Sequence, residues 1–398
     1  MNPSILLAAP HRMPFLTGSL AFGGLLMWWL THMVQLHAGL SGIPTTDMPP
    51  GLLHGPAMIY LGLAPFIFGF LLTVFPRWIG LPDLALRQFA PVSVPLLIGA
   101  VLVLVALATG LDLFILPGFG LVAFGWAIAL LVLLRLLWTG SKAGKTPCWH
   151  AWSALAGLTL GLVGLLSAIT FFGGGSWDYL FYANRIGIGG FLLPIFLTVA
   201  HRMVPFFAGN VVEGYDRWRP DWLIAALWIS LLARLAGELL NIGWLAISAN
   251  GALAALTGAM LWKWWPRASA PGLLIVLIWG FAWAPMGFTL AMLDTATLAL
   301  GRGPDHALMI GFAGSLLVAM VTRVTQGHSG RPLSMTALAW LAFCAIQLAA
   351  IARLWAALQL ELAEALLVSV GVLCLGMLPW LLRNMGIYLS PRSDGKVG

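Results

Sequence analysis

Long apolar runs divide the chain into twelve segments, separated by short stretches of Gly, Pro, Asp and basic residues. A helix rises about 1.5 Å per residue and the hydrocarbon core is about 30 Å thick, so about 20 apolar residues predict one transmembrane helix. The predicted helices cover residues 14–38, 53–75, 91–110, 113–138, 151–172, 180–208, 220–241, 243–266, 271–298, 304–326, 333–357 and 361–384. Because every connection is short, the sequence predicts an all-α polytopic membrane protein, with residues 1–398 in a single transmembrane bundle.

Composition supports the membrane setting. Hydrophobic residues make up 61% of the chain and charged residues only 8%, which leaves too little polar surface for a water-soluble globule. The formal net charge is +7, but the basic residues are scattered singly between apolar runs and form no patch that suits a nucleic acid. The predicted partner is therefore the lipid bilayer.

The basic residues also predict an orientation. When the connections are assigned alternately to the two sides, 16 of the 20 lysines and arginines fall on one side. Since basic loops are retained in the cytoplasm during insertion, both termini are predicted to be cytoplasmic, in a multi-pass protein of the bacterial inner membrane.

A weak internal repeat is visible at the cytoplasmic ends of the second, sixth and tenth predicted helices. Each ends in a similar short stretch with an arginine at the same offset, namely Arg77, Arg202 and Arg323. This spacing favours three units of four helices. The competing interpretation is chance, because the charge bias alone would place arginines there.

Histidine is the first candidate for chemistry, because a neutral imidazole binds haem iron or copper without adding charge to the membrane. His54 opens the second predicted helix and His306 opens the tenth, so they lie at a similar depth on the outer side and could hold one haem axially. Met58 lies close to the first of them. His32 and His37, five residues apart on the first helix, do not share one helix face. The competing interpretation is that such histidines only hydrogen-bond at the interface.

A second group lies on the predicted cytoplasmic side, where His201 and His328 accompany Arg202, Arg323 and Arg331. Arginine pairs bidentately with carboxylates, so this group suits haem propionates. It suits anionic lipid headgroups equally well.

Charged residues inside the predicted helices are rare and mark functional candidates. Arg234 and Glu238 are four residues apart and are predicted to pair on one helix face. Arg185 and Asp294 are predicted to face the interior, where a proton or ion path is conceivable.

Three segments carry more specific motifs. Residues 54–78 read HGPAMIYLGLAPFIFGFLLTVFPRW, with His54 and Met58 before an apolar helix that ends in Gly-Phe-Leu-Leu-Thr. Residues 202–210 read RMVPFFAGN, and residues 323–332, which close the helix that opens at His306, read RVTQGHSGRP. Together these segments resemble the NnrS family of haem- and copper-containing bacterial membrane proteins.

The resemblance implies haem and copper as cofactors, with departures from the family pattern. Pro56 and Ala57 stand where the family has a second histidine and a glutamate, so one implied copper ligand is absent unless His32 or His37 replaces it. His201 stands where the family has a small residue. The cofactor-binding candidates are His54, His306, His328, Arg202, Arg323 and Arg331, and the metal-ligand candidates are His54, His306, His32, His37, His201 and Met58.

The function implied by the resemblance is a role in the nitric oxide response or in protection from nitrosative stress in denitrifying metabolism. Nitric oxide or iron-nitrosyl species, and respiratory electron donors, are the implied partners. Whether the protein is an enzyme is left open. Twelve helices with both termini inside also resemble the catalytic subunit of haem-copper oxidases in architecture, but this chain lacks the paired histidines and the His-Pro-x-x-Tyr element of their binuclear centre.

Two alternatives remain at this point. A transporter would use Arg185, Arg234 and the inner arginines to line a path for an anionic or metal-complexed substrate. A non-catalytic assembly factor for respiratory enzymes would need no cofactor of its own.

Overall fold

The computed structural model describes residues 3–39, 42, 44–144, 148–359 and 362–395. Within these ranges the chain is helical and contains no strand, and twelve helices are long and apolar enough to cross a membrane. The predicted fold class and the predicted number of spans are therefore confirmed. Lys145 and Lys396, which contribute to the charge bias, lie outside the described residues.

The twelve spans follow one another through short connections, and a four-residue helix, Pro3–Leu6, precedes the first. The spans are α1 (Arg12–Ala38), α2 (Pro50–Trp78), α3 (Leu86–Thr109), α4 (Asp112–Lys142), α5 (Trp149–Phe172), α6 (Trp177–Val211), α7 (Trp222–Leu239), α8 (Gly243–Trp264), α9 (Gly272–Ala296), α10 (Gly303–His328), α11 (Ala337–Leu358) and α12 (Ala363–Tyr388).

Contacts group the chain into two compact units. Unit 1 consists of Met1–Gly187, Val324–Pro332 and Leu381–Gly398. Unit 2 consists of Ile188–Arg323 and Leu333–Trp380. The single bundle over residues 1–398 and the grouping into three four-helix units stay predictions.

Three of the spans contain a π-helical segment, in which the helix widens by about one residue per turn. These segments are Ala57–Leu63 in α2, Ile186–Leu192 in α6 and Ala307–Gly314 in α10. They fall on the same three spans that the repeated arginines single out. Since π-helical turns are frequent at functional sites, the wide turns mark these three helices for closer inspection.

The ends of α2 and α10 are also alike. Gly80 and Gly330 each adopt a left-handed conformation, with φ of 68° and 73°, that residues with a side chain rarely take. Each end is closed by a six-to-one hydrogen bond of the kind found in Schellman motifs, from Leu81 N to Pro76 O at 2.9 Å and from Arg331 N to Gln326 O at 3.0 Å. The sequence Gly-x-Pro therefore stops both helices at an equivalent point.

The π-helical segment of α2 carries a buried tyrosine that ties α2 to α6. The Tyr60 hydroxyl donates a hydrogen bond of 2.6 Å to the carbonyl of Ala183. Gly164 of α5 makes room for this hydroxyl, because a β-carbon at that position would overlap the Tyr60 oxygen. The contact explains why a small residue is required in the middle of α5.

This contact gives a coupling prediction. We expect Gly164→Ala to cost about 1–3 kcal/mol through overpacking, and Tyr60→Phe to cost about 1 kcal/mol through the lost buried hydrogen bond. The double variant should be more stable than the sum of the two losses predicts, because removing the hydroxyl makes room for the new methyl group. Thermal unfolding of the four proteins in one detergent measures the coupling, and strictly additive losses would contradict the described packing.

Candidate functional site

His306 occupies a well-defined position in unit 2, in the first turns of α10 and directly before its π-helical segment. Its Nδ1 lies 2.8 Å from the carbonyl oxygen of Arg302. Because a carbonyl can only accept, Nδ1 carries the proton and the lone pair lies on Nε2. A hydrogen bond from one ring nitrogen to a backbone carbonyl is the arrangement that orients metal-binding histidines. The His306 ring therefore has the tautomer that a metal ligand needs.

A buried ion network surrounds the residue that precedes His306. Arg234, which is only 2% exposed, places Nη2 at 2.9 Å from Glu238 Oε1 and at 3.4 Å from Asp305 Oδ1. The Nη1 atom of Arg302 lies 3.7 Å from the other carboxylate oxygen of Asp305. The predicted Arg234 and Glu238 pair is confirmed, and Asp305 extends it to the start of α10.

Buried guanidinium groups lie close to His306. Arg353 of α11 is buried and interacts electrostatically with His306, and the buried Arg234 is joined to Asp305, the residue before His306. The Nε and Nη1 atoms of Arg234 are buried, and no hydrogen-bond partner for them is found among the described residues. Buried donors normally have partners, and guanidinium groups pair well with carboxylates. The arrangement can therefore accept an anionic group near His306.

In unit 1, two of the predicted histidines converge on one tryptophan. The His54 ring stacks on Trp29 with ring centroids 4.0 Å apart, and the His32 ring lies 5.3 Å from the same indole. His37, in contrast, is exposed at the end of α1. Met58 lies four residues after His54 in the π-helical segment and is half-buried. The structure thus brings His32 and His54 together and leaves His37 apart.

The helix end that carries His54 packs closely on α6. A β-carbon at Gly55 would overlap Asn184 Oδ1, so the absence of a side chain allows the two helices to meet beside His54. Asn184 donates from Nδ2 to the carbonyl of Leu180 at 3.0 Å. The next residue, Arg185, lies over the ring of Phe181 at 5.6 Å from its centroid.

Four basic residues lie outside the predicted cytoplasmic set, and all four are near His306 or near His54. Arg234, Arg302 and Arg353 lie around His306 in unit 2. Arg185 directly follows Asn184, the residue that packs against Gly55 beside His54 in unit 1. Arg353 did not emerge as a candidate from the sequence. The signal that marks it is its exception to the charge bias.

The residues predicted on the cytoplasmic side are more dispersed. His201 is fully buried, hydrogen-bonds to the backbone of Pro220 and lies near Trp264, with ring centroids 6.4 Å apart. The guanidinium carbon of Arg323 lies 3.7 Å from the centroid of the Phe207 ring. His201 and Arg323 therefore have structural partners within unit 2.

Arg202 is half-buried and also belongs to unit 2, whereas His328 and Arg331 belong to unit 1. Asp294 accepts a 2.6 Å hydrogen bond from the backbone N–H of Leu300 and so stabilises the connection after α9. That Asp294 faces the interior stays a prediction.

His306 would fit a ligand of haem iron because of its tautomer and the buried guanidinium groups near it. Among the residues that the structure describes, no group of three or more His, Cys, Asp or Glu side chains is arranged to hold a metal ion. Copper binding stays a prediction.

The comparisons with known proteins agree with the motifs. The family model described as NnrS protein matches residues 5–392 of the 398-residue chain. A search of curated proteins finds no match. The match covers all twelve spans, and the chain belongs to the NnrS family.

Proposed function

We propose that the chain is a haem-binding protein of the bacterial cytoplasmic membrane, with both termini cytoplasmic, that acts in the nitric oxide response. The observation that supports haem most strongly is the pairing of His306 with the Arg302 carbonyl inside a group of buried arginines. Family membership and the multi-pass helical fold are consistent with this role.

The proposed haem ligand is Nε2 of His306. The carbonyl of Arg302 keeps the proton on Nδ1 and fixes the plane of the ring. The guanidinium groups of Arg234 and Arg353 are suited to the haem propionates. When bound, haem would supply an iron centre that exchanges one electron and takes nitric oxide as a ligand.

The carboxylates beside His306 have a separate role. Asp305 is held by Arg234 and Arg302 and directly precedes His306 in the chain. A carboxylate fixed at this place would tune the reduction potential of an iron held by His306.

His54 is the second candidate ligand. It is held against Trp29, and Asn184 packs against the adjacent Gly55. Whether His54 and His306 serve the same haem stays a prediction, as does copper binding by His32, His54 and Met58.

The test is spectroscopic. After expression with added haem precursor and purification in mild detergent, the reduced-minus-oxidised spectrum should show Soret and α bands, and nitric oxide added to the reduced protein should shift them. In cells, expression of the wild-type chain should raise survival of a nitric oxide pulse above that of an empty vector. Protein that lacks both bands under haem-replete conditions would rule out the proposal.

A transporter is the second candidate, and the buried charges of Arg234, Glu238 and Asp305 within the spans favour it. Proteoliposomes that move an anionic solute, and keep this activity in His306→Ala, would support transport over haem chemistry.

A further inference from the structure

Unit 1 contains a second pair of histidines at the predicted cytoplasmic ends of its helices. The rings of His11 and His328 lie with centroids 4.7 Å apart and planes inclined by 49°. His11 directly precedes α1 and is only 3% exposed, whereas His328 ends α10 and is half-buried. Neither residue belongs to the site around His306.

Three parts of the chain converge on this pair. Arg12 donates from Nη1 to the carbonyls of Tyr388 and Ser390, at 3.3 Å and 2.9 Å. The backbone N–H of Ser393 donates to the Ser329 carbonyl at 3.0 Å. The start of α1, the end of α10 and the segment after α12 are therefore held together by ring contacts and hydrogen bonds, and they form one cluster.

The cluster carries an excess of positive charge. Its arginines are Arg12, Arg77, Arg331, Arg383 and Arg392, connected to one another or to the histidines by electrostatic interactions. Two of them have acidic partners, since Arg77 pairs with Asp83 at 2.9 Å and Arg392 pairs with Asp394 at 2.6 Å. Arg12, Arg331 and Arg383 have no ion-pair partner among the described residues.

Several buried polar atoms in the cluster lack a hydrogen bond within the described part of the chain. These atoms are Nδ1 of His11, Nη1 of Arg331 and both amide atoms of Asn384. Asn384 is 1% exposed and lies one turn before Tyr388 on α12. Burying a polar group without a partner is unfavourable, so several in one cluster indicate a missing occupant.

The charge of the cluster selects the kind of occupant. The pKa of His11 is well below its usual range, first because the ring is buried and then because His328, Arg12, Arg77 and Arg392 repel a further positive charge. The same field repels a metal cation and attracts an anion. Guanidinium, imidazole and amide donors from separate chain segments suit a tetrahedral oxyanion, which accepts bonds from several directions.

We propose that His11, His328 and Arg331 form a binding site for a phosphate group, carried by an anionic phospholipid or by a soluble phosphate compound. His328, Arg331 and Arg392 are half-buried and leave the cluster accessible from its edge. The proposal uses none of the residues around His306 and so does not depend on a haem there; it assigns to phosphate two residues, His328 and Arg331, that the sequence offered as haem candidates.

The test measures phosphate binding to the full chain. Delipidated protein in neutral detergent is titrated with inorganic phosphate by calorimetry, against chloride at equal ionic strength. The variants are Arg331→Gln, Arg331→Lys and His11→Phe, and Arg87→Gln is the matched control, since it removes the same charge from an exposed residue of α3. In a second arm, unlabelled phosphatidylglycerol or phosphatidylcholine vesicles compete with phosphate.

We expect phosphate to bind the wild type and to raise its melting temperature. Arg331→Gln and His11→Phe should raise Kd at least about tenfold, Arg331→Lys should recover part of the affinity, and Arg87→Gln should stay within about twofold. If phosphatidylglycerol competes with phosphate and phosphatidylcholine does not, the bound phosphate group belongs to an anionic lipid headgroup. If phosphate binds and neither lipid competes, the phosphate group belongs to a soluble compound. The proposal is overturned if neither phosphate nor phosphatidylglycerol binds the wild type, or if Arg87→Gln weakens binding as much as Arg331→Gln.

Discussion

His306→Ala is expected to lower the haem content of the purified protein at least about tenfold, because it removes an iron ligand from a site whose remaining groups bind only the porphyrin edge. The change removes no ion pair, since Arg234 still bridges Glu238 and Asp305. Haem per chain, measured as the pyridine complex against protein concentration, gives the result directly. His37→Ala is the matched control, because His37 is an exposed histidine on α1.

His54→Ala in the same series tests whether the two outer histidines act on one haem. If they do, each single variant should lose the same fraction of haem and the double variant should lose little more. If only His306 binds haem, His54→Ala should match the His37→Ala control. Wild-type haem content in His306→Ala would contradict the proposed ligand.

Arg234→Leu is expected to destabilise the protein by about 3–5 kcal/mol, the cost of removing one partner from a buried ion pair. The substitution leaves the carboxylates of Glu238 and Asp305, which are 15% and 12% exposed, without the guanidinium that joins them. The matched comparison is Arg77→Leu, which breaks a pair with Asp83 whose side chains are 50% and 57% exposed. That exposed pair should contribute less than about 1 kcal/mol.

Melting temperature and the monodisperse fraction after heating, in the same detergent, measure both variants. Arg234→Leu combined with Glu238→Leu and Asp305→Asn should recover part of the loss, because the two carboxylate charges that Arg234 joins are then removed with it. A loss for Arg234→Leu no larger than that for Arg77→Leu would show that the network is not a stabilising element.

The fold was predictable because its determinants are local. Length and apolarity define each span, so the twelve helices appear in the sequence as twelve runs, with ends that differ by a few residues from those observed. The Arg234 and Glu238 pair was equally predictable, since a four-residue spacing on a helix places the two side chains together.

The π-helical segments were not predictable in the same way. A π-helical turn changes the spacing of the residues that share one helix face. In an almost wholly apolar span this change is not visible, because there are too few polar residues to mark the faces. The segment Ala307–Gly314 contains no polar residue that would mark a face. The segment Ala57–Leu63 has one polar group, the Tyr60 hydroxyl, which is too little to reveal the wide turn in the sequence.

The candidate sites depended on contacts between distant spans, which no spacing encodes. The addition of Asp305 to the Arg234 pair joins residues 71 positions apart. His11 was missed as a candidate because it looked like an ordinary residue before the first span. Arg353 was missed although a charge inside a predicted helix is a signal for a candidate. His328 was predicted beside the inner arginines. The structure also places its ring against the ring of His11, which no spacing in the sequence indicates.

The most direct test of the central claim is imidazole rescue of His306→Gly. We predict that the oxidised wild-type protein gives a ferric haem signal by electron paramagnetic resonance, that His306→Gly purifies with little haem and loses this signal, and that imidazole added during purification restores both by filling the vacated ligand position. Haem content and a ferric signal in His306→Gly that equal those of the wild type without imidazole would contradict the account.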